Sequence, residues 1–295
     1  MKVRRAHLAS LNLCRLIGGG TFTVKKETMD KPFMGFMELV NEYKPTCYRK
    51  IQALGGKGGL WVVQESVTGK KFVVRELSQE NREVYERLLG IHHPNVVQVL
   101  EVLSVKGSFY GVEEYVDGQS LFRILEQGRT LGGKVITVGE QILKGLSALH
   151  KNGIIHRDIK PENVMMDERG KVKLIDFHIA RVFHSEKERD TTRKGTKGYA
   201  SPEQFGYRQT DCRTDIYSLG VTLNELAVGK LPGEELCKGG LGVFVRKCTE
   251  FDPRRRFQTA EEALTRLKWL KKGYRLERQG RKILRRIIGK LMDFR

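Results

Sequence analysis

Four side chains with complementary chemistry lie within 19 residues of this 295-residue chain, from Asp158 to Asp176. They are the carboxylates of Asp158 and Asp176, the carboxamide of Asn163 and the ammonium of Lys160. Together they are the equipment for holding a metal-bound triphosphate and orienting a hydroxyl nucleophile. Asp158, Lys160 and Asn163 sit in the run His156-Arg-Asp-Ile-Lys-Pro-Glu-Asn163, and Asp176 sits in Lys173-Leu-Ile-Asp-Phe-His178.

Such a set needs a framework. The chain is long enough for two lobes and a sizeable core, and its 39% hydrophobic content is ordinary for a water-exposed fold. No apolar run approaches the roughly 18 residues that span a membrane. The first residues start basic, but His7, Ser10 and Asn12 interrupt any apolar core, so no secretory signal is expected. Five cysteines (Cys14, Cys47, Cys212, Cys237, Cys248) are scattered, odd in number and without a Cys-x-x-Cys pair. That pattern fits free thiols in a reducing compartment, and the expected location is cytoplasmic. The formal charge is +19, and no zinc-finger, RNA-binding aromatic or helix-turn-helix pattern accompanies it, so no nucleic-acid partner is expected.

Along the chain, residues 1–45 form an extension with little pattern. Leu16–Lys25 imitates a glycine loop, but no strand comes after it before residue 45. Met34–Val40 fits a short helix packing on the smaller lobe. From Tyr48 the pattern is strand, glycine loop (Gly55-Gly-Lys-Gly-Gly59), strand (Leu60–Val63), turn, strand (Lys71–Arg75). A glycine loop lets backbone amides approach phosphates without Cβ interference. A helix is expected over Gln79–Leu89, then two strands, Val96–Val105 and Ser108–Tyr115. Residues 132–152 have helical apolar spacing and stop at Asn152-Gly153. A last long apolar helix is expected from Asp215 through Val228.

The run His156–Asn163 resembles the catalytic loop of the protein kinases, and Asp176-Phe177-His178 resembles their metal-binding turn. Gly195-Thr-Lys-Gly-Tyr-Ala-Ser-Pro-Glu203 resembles the end of their activation segment. These late motifs look most like the eukaryotic-like serine/threonine kinases of bacteria. The resemblance implies an α+β, two-lobed protein kinase fold over residues 46–268. A small lobe of antiparallel sheet plus one helix (46–116) would precede a larger, mainly helical lobe (117–268). It implies ATP and Mg²⁺ as cofactors and a protein hydroxyl as acceptor. Asp158 would accept or orient the proton of that hydroxyl, and Lys160 would neutralise the phosphoryl group. Asn163 and Asp176 would hold Mg²⁺, and Thr196 would contact Asp158 and Lys160. Gly56, Gly58 and Val63 would cover the phosphates and adenine, with Trp61 standing where a third glycine is usual. Arg75 would replace the phosphate lysine, paired by Glu83 of the following helix. The hinge backbone at Glu114 and Val116 would meet adenine. Glu113 would close the back of that pocket with Arg75 as its partner. His156 is expected to pack rather than catalyse, and Arg157 to face the activation segment. Asp215 is expected to hold the catalytic-loop backbone, and Arg256 to pair Glu203. Thr191 and Thr192 are candidate phosphorylation sites.

Three departures, Trp61, Arg75 and His178, keep a second reading open: a pseudokinase that binds nucleotide or scaffolds a partner. A non-glycine residue at His178 costs about 1–3 kcal/mol if the turn demands positive φ there. Residues 269–295 read as a basic tail. Residues 271–295 carry ten Lys/Arg against Glu277 and Asp293, and Ile283, Leu284, Ile287, Ile288, Leu291 and Phe294 share one helical face. That suits an anionic membrane surface, peripherally bound, or an acidic partner.

Overall fold

Short alternating runs rich in Val, Phe and Tyr, each closed by a turn, build the first half of the chain as a sheet. The structure, a computed structural model, describes residues 48–54, 59–105, 107–183, 195–206 and 209–274. Strands β1 (Tyr48–Ala53), β2 (Leu60–Glu65), β3 (Lys71–Leu77), β4 (Val99–Val105) and β5 (Ser108–Glu114) form one antiparallel sheet, ordered β1-β2-β3-β5-β4. Register places Leu60 opposite Arg75, Val62 opposite Val73, and Val73 in turn opposite Glu113. Paired residues point to the same face, so Val62, Val73, Arg75 and Glu113 share one side of the sheet.

Helix α1 (Gln79–Leu88) packs on that side. Ser78 caps it by accepting the Asn81 N–H at 3.3 Å. Its buried residues, Asn81, Val84, Tyr85 and Leu88, follow helical spacing and form a single stripe. Gly111 permits the close approach, because a Cβ there would lie 2.5 Å from the Tyr85 ring.

The second half is mainly helical. After β6 (Gln119–Ser120) come α2 (Leu121–Glu126), α3 (Val135–Lys151) and β7 (Ile154–Ile155), then β8 (Val164–Met166), β9 (Val172–Leu174) and β10 (Arg181–Val182). The chain continues as α4 (Cys212–Val228), α5 (Gly239–Cys248) and a helical stretch over residues 260–274, here α6. Ile142, Leu146 and Leu149 of α3 join Ile216, Leu219 and Leu223 of α4 in one core that reaches α1 through Leu88. Asp211 caps α4, and Gly229 ends it in the left-handed region at φ +77°. α6 continues past residue 268, and Lys271 pairs with Glu140 of α3 at 2.5 Å. The architecture is the expected α+β, two-lobed one. Gly56, Gly58, Thr191, Thr192, the 1–45 extension and the tail face from Ile283 to Phe294 lie outside the described residues. No helix among the described residues is long and apolar enough to cross a membrane.

Candidate active site

The loop after β7 carries the expected set, and the structure closes it into one hydrogen-bonded cluster. Thr196 Oγ1 donates to Asp158 Oδ1 at 2.6 Å and accepts from Lys160 Nζ at 2.7 Å. Lys160 Nζ also stands 3.0 Å from Asp158 Oδ2. Asn163 Nδ2 donates to Asp158 Oδ2 at 2.7 Å and to the Asp158 carbonyl at 2.9 Å. With its nitrogen so engaged, Asn163 has Oδ1 as its remaining acceptor.

Asp215, in the first turn of α4, supports this loop from beneath. It accepts the backbone N–H of Arg157 at 2.7 Å and that of His156 at 2.9 Å. His150 Nε2 lies 2.8 Å from the same carboxylate. Burial disfavours its charge, but His150 and the loop amides hold its pKa below the ordinary aspartate value. His156 Nε2 is 3.1 Å from the Ile175 carbonyl, and its ring centroid is 4.9 Å from that of Phe177. It packs, as expected. Behind the activation segment, Arg256 forks onto Glu203 at 2.7 and 3.0 Å, both fully buried.

The metal-type turn resolves the condition set by His178. The only non-glycine residues with positive φ among the described residues are Arg157 (67°) and Asp176 (65°). His178 is not one of them, so the cost tied to positive φ there does not arise, and the left-handed conformation falls on Asp176. His178 uses its side chain instead. Its Nδ1 reaches Asp176 Oδ1 at 2.8 Å, and its carbonyl accepts from Asn81 of α1 at 2.6 Å. Arg75 Nη2 reaches the same Oδ1 at 3.1 Å. Burial opposes the Asp176 charge, yet His178 and Arg75 hold its carboxyl far below the usual range.

Arg75 bridges Asp176 and Glu113, its Nε standing 3.5 Å from Glu113 Oε1. Glu113 is 3% exposed and accepts the Tyr85 hydroxyl at 2.5 Å. Burial pushes the Glu113 carboxyl above the ordinary glutamate value, while Arg75 and Tyr85 pull it back. The pairing of Arg75 with Glu113 is therefore found. Its expected pairing with Glu83 is not. Glu83 lies on the exposed side of α1 and pairs with Arg87 at 3.2 Å, one helical turn on. Tyr85 takes the inward position. Val63 is corrected too: it lies on the sheet face away from Arg75, and Val62 is the β2 valine on the Arg75 side. At the hinge, the Glu114 side chain accepts from the Gln98 N–H at 2.8 Å and from Lys173 Nζ. Val116 packs against the main core.

Comparison with known proteins agrees with this geometry. A family model, the protein kinase domain, matches residues 55–238. The chain belongs to the protein kinase family. A "Probable serine/threonine-protein kinase" of Clostridium perfringens is 34% identical over 263 residues, covering 76% of this chain and 38% of the relative. One of the same description from Clostridium acetobutylicum is 33% identical over 272 residues, covering 80% and 41%. A serine/threonine-protein kinase of Myxococcus xanthus is 34% identical over 243 residues, covering 71% and 43%. The chain thus spans about two fifths of the length of these curated relatives. The expected bacterial serine/threonine-kinase relationship is found.

Within this kinase fold, sequence reasoning missed Tyr85, Val62 and His150. Tyr85 was legible, because the stripe Asn81, Val84, Tyr85, Leu88 turns Tyr85 inward and Glu83 outward. Val62 required strand parity, which one residue of register reverses. His150 carried no local signal, since its partner Asp215 lies 65 residues on.

Proposed function

We propose that the chain is a serine/threonine protein kinase that transfers the γ-phosphoryl group of ATP to a protein hydroxyl. The observation that carries this reading is the closed cluster of Asp158, Thr196, Lys160 and Asn163. Asp158 would orient the acceptor hydroxyl and take its proton, and Lys160 would meet charge on the transferred group. Thr196 ties the activation segment to both. Asp176 Oδ2 and Asn163 Oδ1 are hard oxygen donors that fit Mg²⁺, and Asp176 stays charged under its two donors. When bound, Mg²⁺ supplies neutralisation between the phosphates. Arg75 is the small-lobe cation for the phosphates. The backbone at Gly56, Gly58, Glu114 and Val116, with Val62 replacing Val63 as apolar wall, would hold the nucleotide. The working unit is residues 46–268, divided near 116. The tail over 269–295 would bind an anionic membrane surface or acidic partner. Vesicle binding that is independent of anionic lipid removes the membrane part of this proposal.

One observation favours the pseudokinase reading: Arg75 and His178 already occupy Asp176 Oδ1. Autophosphorylation with Mg²⁺-ATP separates the two. For a kinase, Asp158→Asn lowers the rate by about 10²–10⁴-fold, and Arg75→Lys leaves measurable transfer. No transfer in any variant, with nucleotide-dependent thermal stabilisation retained, establishes the binding module instead.

A further inference from the structure

The face of the sheet opposite α1 carries apolar side chains that are fully buried. Trp61 and Val63 of β2, Val74 of β3 and Tyr110 of β5 are between 0% and 1% exposed. Trp61 pairs directly with Val74, so the two side chains point the same way. Tyr110 lies on the neighbouring strand, whose Val112 is the partner of Val74. These residues are not part of the main core, which holds Leu77, Val84 and Tyr85 on the α1 side. Strands lying side by side cannot bury an indole on their open face; a covering layer is needed. The helix of the small lobe lies on the other face, with Tyr85 against Gly111 and Glu113.

We infer that this outer face is a docking surface for the chain's own N-terminal segment, and that residues 33–40 are its occupant. Phe33, Phe36, Met37 and Val40 recur at helical spacing and form an apolar stripe, while Glu38 and Asn41 stand off it. Seven residues, 41–47, join this stripe to β1. Extended, they reach about 23 Å. The distance across the sheet from β1 to β5 is about 14 Å, three strand spacings. The segment can therefore fold back over Trp61, Val74 and Tyr110 without strain. Its acidic residues Glu38 and Glu42 would face Lys50, which lies 6.0 Å from the Trp61 ring, and Lys70, which lies 5.3 Å from the ring of Phe72, the partner of Val63. The occupant would clamp β2 to β3, the strand that carries Arg75.

Trp61 makes this measurable, because the chain has only one other tryptophan, the exposed Trp269. In the 295-residue chain carrying Trp269→Phe, Trp61 emission reports the cover alone. The expected result is blue-shifted emission weakly quenched by acrylamide. Adding Phe33→Ser, Phe36→Ser, Met37→Ser and Val40→Ser should red-shift it and raise quenching several-fold, whereas Phe36→Leu with Met37→Leu should keep the shielding. Quenching unchanged in the serine variant overturns the inference. Amine cross-linking of the unmodified chain gives a second test that does not depend on the variant's folding. Intrachain links from Lys31 to Lys50 or Lys70 are expected. Their absence, or links found only between isotope-mixed copies, shows that another layer or a second copy covers the face.

Discussion

Replacing Arg75 with methionine tests the least usual part of the site. The change keeps much of the side chain's apolar volume and removes the cation. Glu113 would then be a carboxylate, 3% exposed, held only by the Tyr85 hydroxyl at 2.5 Å. Breaking a buried pair by removing one partner costs about 3–5 kcal/mol. The lower end applies here, because Arg75 Nε stands 3.5 Å away and its side chain keeps 13% exposure. A loss of about 3 kcal/mol, with a urea m-value of about 3 kcal/mol/M for a domain of this size, moves the unfolding midpoint down by about 1 M.

The loss should depend on pH, and its sign is set by proton linkage. Burial raises the Glu113 pKa in the folded chain above its ordinary 4.5, and removing Arg75 raises it further. Between the unfolded and folded values the native state binds more protons, so stability falls as pH rises through that window and is flat above it. Arg75→Met should therefore lie closest to the parent near pH 5 and furthest from it at pH 8. Adding Glu113→Gln should recover most of the loss, since an amide still accepts from Tyr85 without a buried charge. Equal midpoints for parent and Arg75→Met at pH 8, or no recovery in the double variant, would refute the reasoning.

Substitutions at three more positions probe the same fold. His178→Gly removes the donor 2.8 Å from Asp176 Oδ1, and the Mg²⁺ concentration for half-maximal phosphotransfer should fall several-fold in a metal titration. Arg256→Ala strands Glu203, which is 4% exposed, and should cost about 3–5 kcal/mol by denaturant unfolding. Arg256→Lys should recover little of this, because Arg256 also donates to the carbonyls of Arg213, Glu250 and Phe251. Gly111→Ala places a Cβ 2.5 Å from the Tyr85 ring and should destabilise the fold by about 1–3 kcal/mol, read as a lower Tm.

Legible in the sequence are the features that short segments determine. His156–Asn163 specifies its own turn and brings its three polar groups together within one loop, and the motifs pair Glu203 with Arg256 correctly across 53 residues. The Arg75–Glu113 pair can be foreseen because both lie on strands with clear alternation. Errors arise where counting replaces periodicity. Counting back through Gly90 and His92-His93 selects Glu83, and the helix phase overrules that count. Distance from the glycine loop selects Val63, and the pleat overrules it by one residue. At His178 the sequence leaves the sign of φ open, and the structure avoids the positive value there. The chain puts that conformation on Asp176 and uses His178 as a hydrogen-bond donor.

The relocation of the carboxylate partner changes how α1 relates to the cation. Arg75 and Glu113 stand on neighbouring strands β3 and β5, where sheet pairing fixes their separation. Among the described residues, α1 gives this pair the Tyr85 hydroxyl, and a hydrogen bond to a charged group is worth about 1.5–3 kcal/mol. Were the partner on the helix, moving α1 would break a buried ion pair and strand both charges. Here α1 can shift and leave the pair intact, at the expense of one hydrogen bond and the packing of Tyr85 on Gly111. The second tie between α1 and the site is the Asn81 bond to the His178 carbonyl, 2.6 Å long. It connects the helix to the metal-type turn and not to Arg75. Any displacement of α1 would therefore act first on the position of Asp176, while Arg75 stays with the sheet.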